Sequence, residues 1–198
     1  MSDTGLRDRN SVISFREIEI EDAKTILDWR TSERVTKFMN SDMNYDIDAQ
    51  KRWLKGSFSK PSYYHWIIQY GGKDVGLLNF VDWNKEERTT SWGFYIGDES
   101  ALGVGGLVPP YFYNFAFDKL GVGRVLAEVF YNNTGVIDLH LKQGYVFDPK
   151  RDHVIEKNDD SILMVCMSLC KHEFKASKLS RLKQELPISN WSASPFED

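Results

Sequence analysis

The feature that most constrains this chain is the order of extended and helical patterns between residues 89 and 145. A strand pattern over residues 89–97 is followed by the glycine-rich segment 103–106, a helix from about Leu107 and a strand over 124–130. A glycine segment between a strand and a helix N-terminus leaves backbone N–H groups free, and the helix dipole adds partial positive charge. This order therefore favours binding of a phosphate group, although glycines of this kind are equally typical of plain turns.

A short helix follows the second strand, and three positions in and around it stand out. Asn133 stands at its start, His140 lies near its end, and Gly144-Tyr145 closes it. Asparagine is a preferred N-cap residue, so Asn133 is expected to satisfy an amide at the start of this helix.

Composition excludes several classes of protein. The 198 residues are 41% hydrophobic with a net charge of −4, which predicts a globular domain and argues against a general nucleic-acid binder. No apolar run has the length of a membrane span and no signal peptide is evident, so a cytoplasmic location is expected. The four histidines lack ligand spacing, and Cys166 and Cys170 lie in a strand pattern typical of small core residues. No metal site or disulfide is therefore predicted.

The remaining patterns predict a single domain over residues 1–170, with residues 1–11 loose. Two strands over 64–70 and 75–80 flank a Gly-Gly turn, and a second pair of strands is joined by Asn158-Asp159. The basic segment 171–198 is expected to be helical to Leu186 and then flexible. It is left open whether this tail packs on the domain, forms a homodimer or stays solvated, and a solvated tail is the default.

Residues from about Ile13 to Leu169 resemble the GCN5-related N-acetyltransferase (GNAT) family. The resemblance rests on the order of strand, glycine segment and helix. It also rests on the spacing of Asn133, His140 and Gly144-Tyr145 along the chain. It implies an α+β fold with a mixed central sheet of six to seven strands, splayed at its centre and flanked by about four helices. It also implies acetyl-coenzyme A as cosubstrate, with its pantetheine arm paired like an extra strand. The implied cofactor-binding residues are Phe94, Tyr95, Ile96, Leu102, Gly103, Val104, Gly105, Gly106 and Asn133.

The resemblance also points to candidate catalytic residues. His140 stands where the family places a tyrosine near the coenzyme sulfur, and a protonated imidazole can supply a proton to the departing thiolate. The alternative is that His140 only packs. Asp82, Asp98 and Glu128, which lie near strand ends, are candidate bases for the acceptor amine. Glu128 lies on the strand beside the implied cofactor groove, although a charged residue on a strand is more often solvated or paired.

The acceptor is suggested by Trp29-Arg30. This pair is similar to a signature of two subfamilies: N-acetyltransferases of bacterial amino-sugar nucleotide pathways, above all the pseudaminic acid pathway, and those acting on ribosomal-protein N-termini. The first similarity implies a small-molecule acceptor, the 4-amino group of a nucleotide-linked sugar. Candidate substrate-binding residues are Arg30, Asp82 and Trp92. A peptide or polyamine acceptor, and a non-catalytic acetyl-coenzyme A binding module, are the alternatives.

Overall fold

The chain folds around one mixed sheet, shown by a computed structural model that describes residues 12–58, 60 and 63–188. The eight strands found in these residues have the order β1-β2-β3-β4-β5-β8-β6, with β7 paired to β8. The strands are β1 (Ile13–Glu17), β2 (Tyr64–Tyr70), β3 (Lys73–Asn84), β4 (Thr89–Ile96), β5 (Arg124–Phe130), β6 (Val146–Phe147), β7 (His153–Lys157) and β8 (Asp160–Cys170). The predicted α+β class is confirmed, with slightly more strands than expected.

Six α-helices occur in the described residues, whereas the resemblance implied about four around the sheet and the sequence predicted one more in the tail. They are α1 (Ala23–Thr31), α2 (Glu33–Thr36), α3 (Ile47–Ser57), α4 (Pro109–Asp118), α5 (Thr134–Lys142) and α6 (Lys171–Ala176). α4 begins at two prolines, close to the start expected at about Leu107, because proline is tolerated only in the first turn of a helix.

The sheet splits between β4 and β5, which is the predicted splayed centre. These parallel strands pair only through Thr89–Arg124, Thr90–Val125 and Ser91–Leu126. Beyond Ser91, the rest of β4 pairs only with β3 among the described strands. The edge of β4 from residue 92 to 96 therefore borders an open cleft rather than a hydrogen-bonded neighbour.

Alternation along the strands separates two cores, one on each face of the sheet. On the face that α4 covers, called the α4 face, Trp92 and Phe94 of β4 pack with Val125 and Ala127 of β5. On the opposite face, called the α1 face, Tyr95 packs against a second core that includes Ile26 and Leu54 of helices α1 and α3. Residues 126, 128 and 130 of β5 alternate with the α4-face positions and so lie on the α1 face.

The two predicted strand pairs are confirmed. β2 and β3 are joined by Gly71 and Gly72, both with positive φ, and β7 and β8 by Asn158 and Asp159 with φ of 52° and 64°. Glycine, asparagine and aspartate tolerate this left-handed backbone best, so these turns follow from local chemistry.

The C-terminal segment corrects one expectation. α6 ends at Ala176 rather than near Leu186, and Phe174 is fully buried in the α4-face core. The amide of Asn114 donates to the carbonyls of Ser180 and Leu182, and the Trp66 indole donates to Pro187. The tail was expected to be solvated, but a buried aromatic side chain and these bonds hold it on the domain.

The predictions of a loose start at residues 1–11 and a flexible end beyond 188 lie outside the described residues. No helix in the described part of the chain is long and apolar enough to cross a membrane.

Gly97 provides a test of how α1 is attached to the sheet. A Cβ at Gly97 would lie 2.1 Å from Cγ of the Trp29 ring, so the indole rests directly on this glycine. We expect Gly97→Ala to lower the free energy of unfolding by about 1–3 kcal/mol, as overpacking does, measured by chemical denaturation. Gly56→Ala is the control, because a Cβ at Gly56 meets nothing within 4 Å. Equal stability of the two variants would contradict this packing.

Candidate active site

The glycine segment lies at the end of β4 and beside α5. Residues Glu99–Leu107 form 3₁₀ turns, and the buried side chain of Val104 packs them against the core. A Cβ at Gly105 would lie 3.6 Å from Ile96, and one at Gly106 would lie 3.8 Å from Leu139. None of the segment's glycines has positive φ, so their backbone conformation does not require glycine. The missing side chains instead leave the backbone open to close approach by a ligand.

The N-terminus of α4 contributes fewer donors for a phosphate group than the sequence suggested. The first two residues of α4 are Pro109 and Pro110, which have no N–H groups, and Val108 makes no side-chain cap. Donors for an anion must therefore come mainly from the 3₁₀ segment before the helix.

Asn133 begins α5 but does not cap it. Its carbonyl accepts from the amides of Val136 and Ile137, while its side chain makes no capping hydrogen bond to the described backbone. The expected cap is thus wrong, and the half-buried amide is left to serve another partner.

His140 is buried in an aromatic pocket on the α4 face. Its ring centroid lies 4.6 Å from that of Tyr145 and 5.9 Å from that of Trp92. Burial lowers the pKa of His140 to about 4, and a hydrogen bond with the Gln143 side chain opposes this only in part. The imidazole is therefore neutral near pH 7, and its Nδ1 has no hydrogen-bond partner among the described residues.

Hydrogen bonds fix the walls of this pocket. The indole of Trp92 donates to the Tyr145 hydroxyl at 3.0 Å, and the Tyr113 hydroxyl donates to Gln143 Oε1 at 2.7 Å. Burial raises the pKa of both tyrosines, so they remain protonated donors at neutral pH. The pocket is rigid, apolar and positioned where α5 meets the cleft.

Glu128 lies on the opposite face of the sheet. It is two residues beyond the last β4–β5 pair, so it borders the cleft from β5. Its side chain is 34% exposed, and its carboxylate lies 3.7 Å from Nη2 of Arg151. His140 and Glu128 thus flank the cleft from the α4 face and the α1 face.

Two arginines approach the end of β4 on the α1 face. Arg30 Nη2 donates to the Ser41 carbonyl at 2.6 Å, and Arg34 Nη2 donates to the Gly97 carbonyl at 2.9 Å. Arg30 Nη1 and Arg34 Nε are both buried without a hydrogen-bond partner in the described structure. Arg34 Nε has an ion pair of 3.9 Å with the exposed Glu99, a distance too long for a hydrogen bond. The two arginines thus carry positive charge and donors that make no hydrogen bond.

Tyr95 lies beside this pair. Its hydroxyl is buried without a partner among the described residues, and burial raises the pKa of Tyr95, against the nearby charge of Arg30. Burial also lowers the pKa of Arg30, although a guanidinium stays charged at neutral pH. Three buried groups without a hydrogen-bond partner thus occur where the helices of the α1 face meet the end of β4, and such groups are typical of a site that is completed by a ligand.

The Lys157 side chain ties the β7–β8 hairpin to the segment around α2 and so closes one side of the α1 face. Lys157, near the tip of the β7–β8 hairpin, donates to the carbonyls of Thr36 and Met39 and pairs with Asp42 at 3.2 Å. Its Nζ also lies 5.9 Å from the ring of Phe130 on β5. The hairpin therefore holds the loop after α2 over the cleft.

The structure does not bring the three predicted substrate-binding residues together. Trp92 lies on the α4 face, where it stacks on Phe94 and Phe112 with centroids 5.5 and 5.0 Å away. Asp82 lies beyond Val81, which pairs with Ser91, and so lies towards the closed end of the cleft. Arg30 alone lies on the α1 face. An aromatic residue on a strand packs into whichever core its register faces, and the sequence did not fix that face for Trp92.

Sequence reasoning missed Arg34 and Lys157. Arg34 follows Arg30 by four residues, a spacing that would place both on one face of a continuous helix. Because α1 ends at Thr31 and α2 begins at Glu33, the sequence pattern did not indicate this pairing. No local signal identifies Lys157, because its partners lie about 120 residues away.

The sequence model of the acetyltransferase (GNAT) domain family matches residues 13–146 of the chain. The chain is also 23% identical over 150 residues to acetyltransferase PseH of Campylobacter jejuni subsp. jejuni serotype O:23/36 (strain 81-176), covering 74% of this chain and 93% of that protein.

Solved structures agree on the fold. Spermidine N-acetyltransferase from Vibrio cholerae, in complex with CoA and spermine, has a TM-score of 0.75 at 14% identity and covers 84% of this chain and 99% of its own. A dodecameric structure of spermidine N-acetyltransferase from Vibrio cholerae in an intermediate state has a TM-score of 0.70 at 14% identity, with coverage of 83% and 97%. At these identities the similarity establishes the fold alone.

Burial of His140 predicts a pH-dependent stability. A histidine whose folded pKa is about 4 and whose ordinary value is 6.5 keeps the unfolded state more protonated between these values. Stability is thus fully present above pH 6.5 and is lost as the pH falls towards 4. Within this window, we expect His140→Phe to reduce the slope of unfolding free energy against pH by up to about 1.4 kcal/mol per pH unit.

Denaturation series at several pH values would measure this slope. His65 is also buried, with its pKa lowered to about 3, so part of the slope should remain in the variant. His172→Phe, at an exposed histidine, should leave the slope unchanged. An identical slope in wild type and His140→Phe would show that His140 is not buried neutral.

Proposed function

Because the chain belongs to the GNAT acetyltransferase family, we propose that it acetylates the 4-amino group of a nucleotide-linked amino sugar. That it is an N-acetyltransferase using acetyl-coenzyme A follows from the family and from the relatives it matches. The acceptor and the roles of individual residues are the proposal.

The donor is proposed to occupy the cleft beside β4. The backbone of Phe94, Tyr95 and Ile96 offers an open strand edge, which an extended pantetheine arm can pair with as an added strand. The pyrophosphate would lie on the backbone of residues 102–106, and the Asn133 amide, free of a capping role, would donate to the arm. The thioester then reaches the point where β4 and β5 separate.

The reaction is direct transfer. The amine nitrogen attacks the thioester carbonyl, forming the C–N bond of the amide, while the C–S bond breaks and coenzyme A leaves as a thiolate that takes up a proton. Glu128, on the α1 face, is the proposed acceptor of the ammonium proton, reached directly or through water. Holding both reactants in one cleft supplies much of the rate enhancement.

His140 is proposed to act on the leaving sulfur from the α4 face. Its low pKa means that it is a neutral imidazole there, not the imidazolium that the sequence suggested. A neutral ring N–H can donate a hydrogen bond to the developing thiolate, whose charge is otherwise poorly solvated in an apolar pocket.

The buried donors Arg30 Nη1 and Arg34 Nε, neither of which makes a hydrogen bond in the described structure, are the observation that carries the choice of acceptor. An anionic group between α1 and the end of β4 would satisfy both and would meet the Tyr95 hydroxyl as well. Guanidinium groups suit phosphate oxygens because they present several donors in a planar fork. The nucleotide diphosphate of an activated sugar provides such oxygens next to the sugar that carries the amine.

The alternatives predict different surroundings. Spermidine and spermine are polycations, so a site for them would need an excess of carboxylates. Here Asp42 and Glu99 are already paired with Lys157 and Arg34. A peptide N-terminus would need an open groove, whereas Lys157 and the loop after α2 partly close this face. A non-catalytic binding module would need neither Glu128 nor His140.

Arg30 tests the acceptor. We expect Arg30→Gln to raise KM for a UDP-linked 4-amino sugar about 10- to 100-fold, since a charged hydrogen bond contributes about 1.5–3 kcal/mol, while KM for acetyl-coenzyme A stays unchanged. The assay is thiol release with this sugar, spermidine and a peptide amine. Arg52→Gln, at an exposed arginine on α3, is the matched control. Turnover with spermidine or peptide but with no 4-amino sugar nucleotide would refute the proposed acceptor.

His140 tests the mechanism. We expect His140→Phe to lower kcat by at least about 10²-fold, the scale of a lost proton-transfer or hydrogen-bond partner, with KM for acetyl-coenzyme A little changed. His140→Tyr should restore part of the rate, because a phenol also donates to sulfur. His172→Phe is the control. Full activity in His140→Ala and His140→Phe would remove His140 from the mechanism.

A further inference from the structure

Three side chains with different metal-binding atoms meet on the α1 face. Glu128 of β5 and Cys166 of β8 are directly opposite each other in the sheet, and His153 begins β7 on the other side of β8. One carboxylate oxygen, one ring nitrogen and the thiol sulfur all lie within 4.8 Å of one another. Oxygen, nitrogen and sulfur donors at this spacing are the ligand types that zinc uses in proteins.

One backbone carbonyl holds the Cys166 and His153 side chains near each other. The carbonyl of Arg151 accepts from the Cys166 thiol at 3.0 Å and lies 3.1 Å from His153 Nδ1. A metal ion would replace these contacts, because the thiol loses its proton and the sulfur becomes a ligand. The Cys166 amide donates to Asp152 at 2.8 Å, which holds that part of β8 in place.

We propose that Glu128, His153 and Cys166 form a site for a divalent transition metal of the Zn²⁺ type. In a tetrahedral zinc site with bonds of about 2.0–2.3 Å, ligand atoms lie about 3.3–3.8 Å apart. The Cys166 sulfur and His153 Nδ1 are already 3.9 Å apart, so the three groups need to close by only about 1 Å. Binding releases the thiol proton to solvent, and a water molecule fills the fourth position.

Arg151 competes with the metal. Its Nη2 lies 3.7 Å from the Glu128 carboxylate and must move away before a dication occupies the same oxygens. Replacing Arg151 with a neutral residue is therefore expected to tighten metal binding, which a merely structural cluster would not do. This opposite response distinguishes a competing cation from a ligand.

The site has a functional consequence that rests on the proposed function. Glu128 is the proposed base, and a carboxylate that binds a metal cannot also accept a proton from the amine. Occupancy is therefore expected to inhibit acetyl transfer. Metal binding is measured without an activity assay. Failure of the metal site is therefore distinguishable from failure of Glu128 as the proposed base.

Metal binding is tested on the full chain without an affinity tag. Co²⁺ titration after chelator treatment should give one ion per chain and a thiolate-to-cobalt charge-transfer band, and Zn²⁺ affinity follows from competition with a chromophoric chelator. Cys166→Ser and His153→Gln should weaken Zn²⁺ binding at least 10-fold and the first should abolish the band. Arg151→Gln should strengthen binding several-fold.

The matched controls are Cys170→Ser, four residues along the same strand, and His172→Ala, an exposed histidine. Both should bind as wild type does. Circular dichroism checks that each variant is folded, and His153→Gln replaces an exposed side chain, so it provides a reading even if Cys166→Ser fails to fold. No bound Co²⁺, a spectrum without a thiolate band, or equal binding by Cys170→Ser and Cys166→Ser would overturn the site.

Discussion

The short contact between β4 and β5 is the constraint on which the rest of the structure depends. Three residue pairs join the two strands, and beyond Ser91 and Leu126 they separate. A strand edge without a neighbour has backbone groups that water or a ligand must satisfy. The cleft exists because the sheet is continuous at one end of these strands and open at the other.

This separation lets both faces of the sheet reach one point. The α4 face presents a neutral histidine in an aromatic pocket, and the α1 face presents Glu128 and two arginines with unused donors. An apolar environment suits a thioester, whereas a charged one suits an amine carried on an anionic molecule. The sheet thus keeps apart two environments that a single pocket would not hold, since burial that favours one would desolvate the other.

Prediction succeeded where the cause was local. The turns at Gly71-Gly72 and Asn158-Asp159 need residues that tolerate positive φ, and Pro109 fixes the start of α4. It failed where distant packing decided the outcome. Asn133 leaves its cap unmade, and Phe174 draws the tail into the core through packing on Tyr113, which is remote in sequence. The face on which Trp92 lies likewise depends on a remote partner, Tyr145.

By itself, the sequence determined the fold class, the family resemblance and the acetyl donor. It could do so because the glycine segment and the segment from Asn133 to Tyr145 lie within 60 residues of one another. Only the tertiary structure decided which charged groups meet. Arg30 and Arg34 meet the end of β4, and Glu128, His153 and Cys166 converge although histidine spacing had predicted no metal site. Strand pairing joins residues dozens of positions apart, and sequence spacing does not record such neighbours.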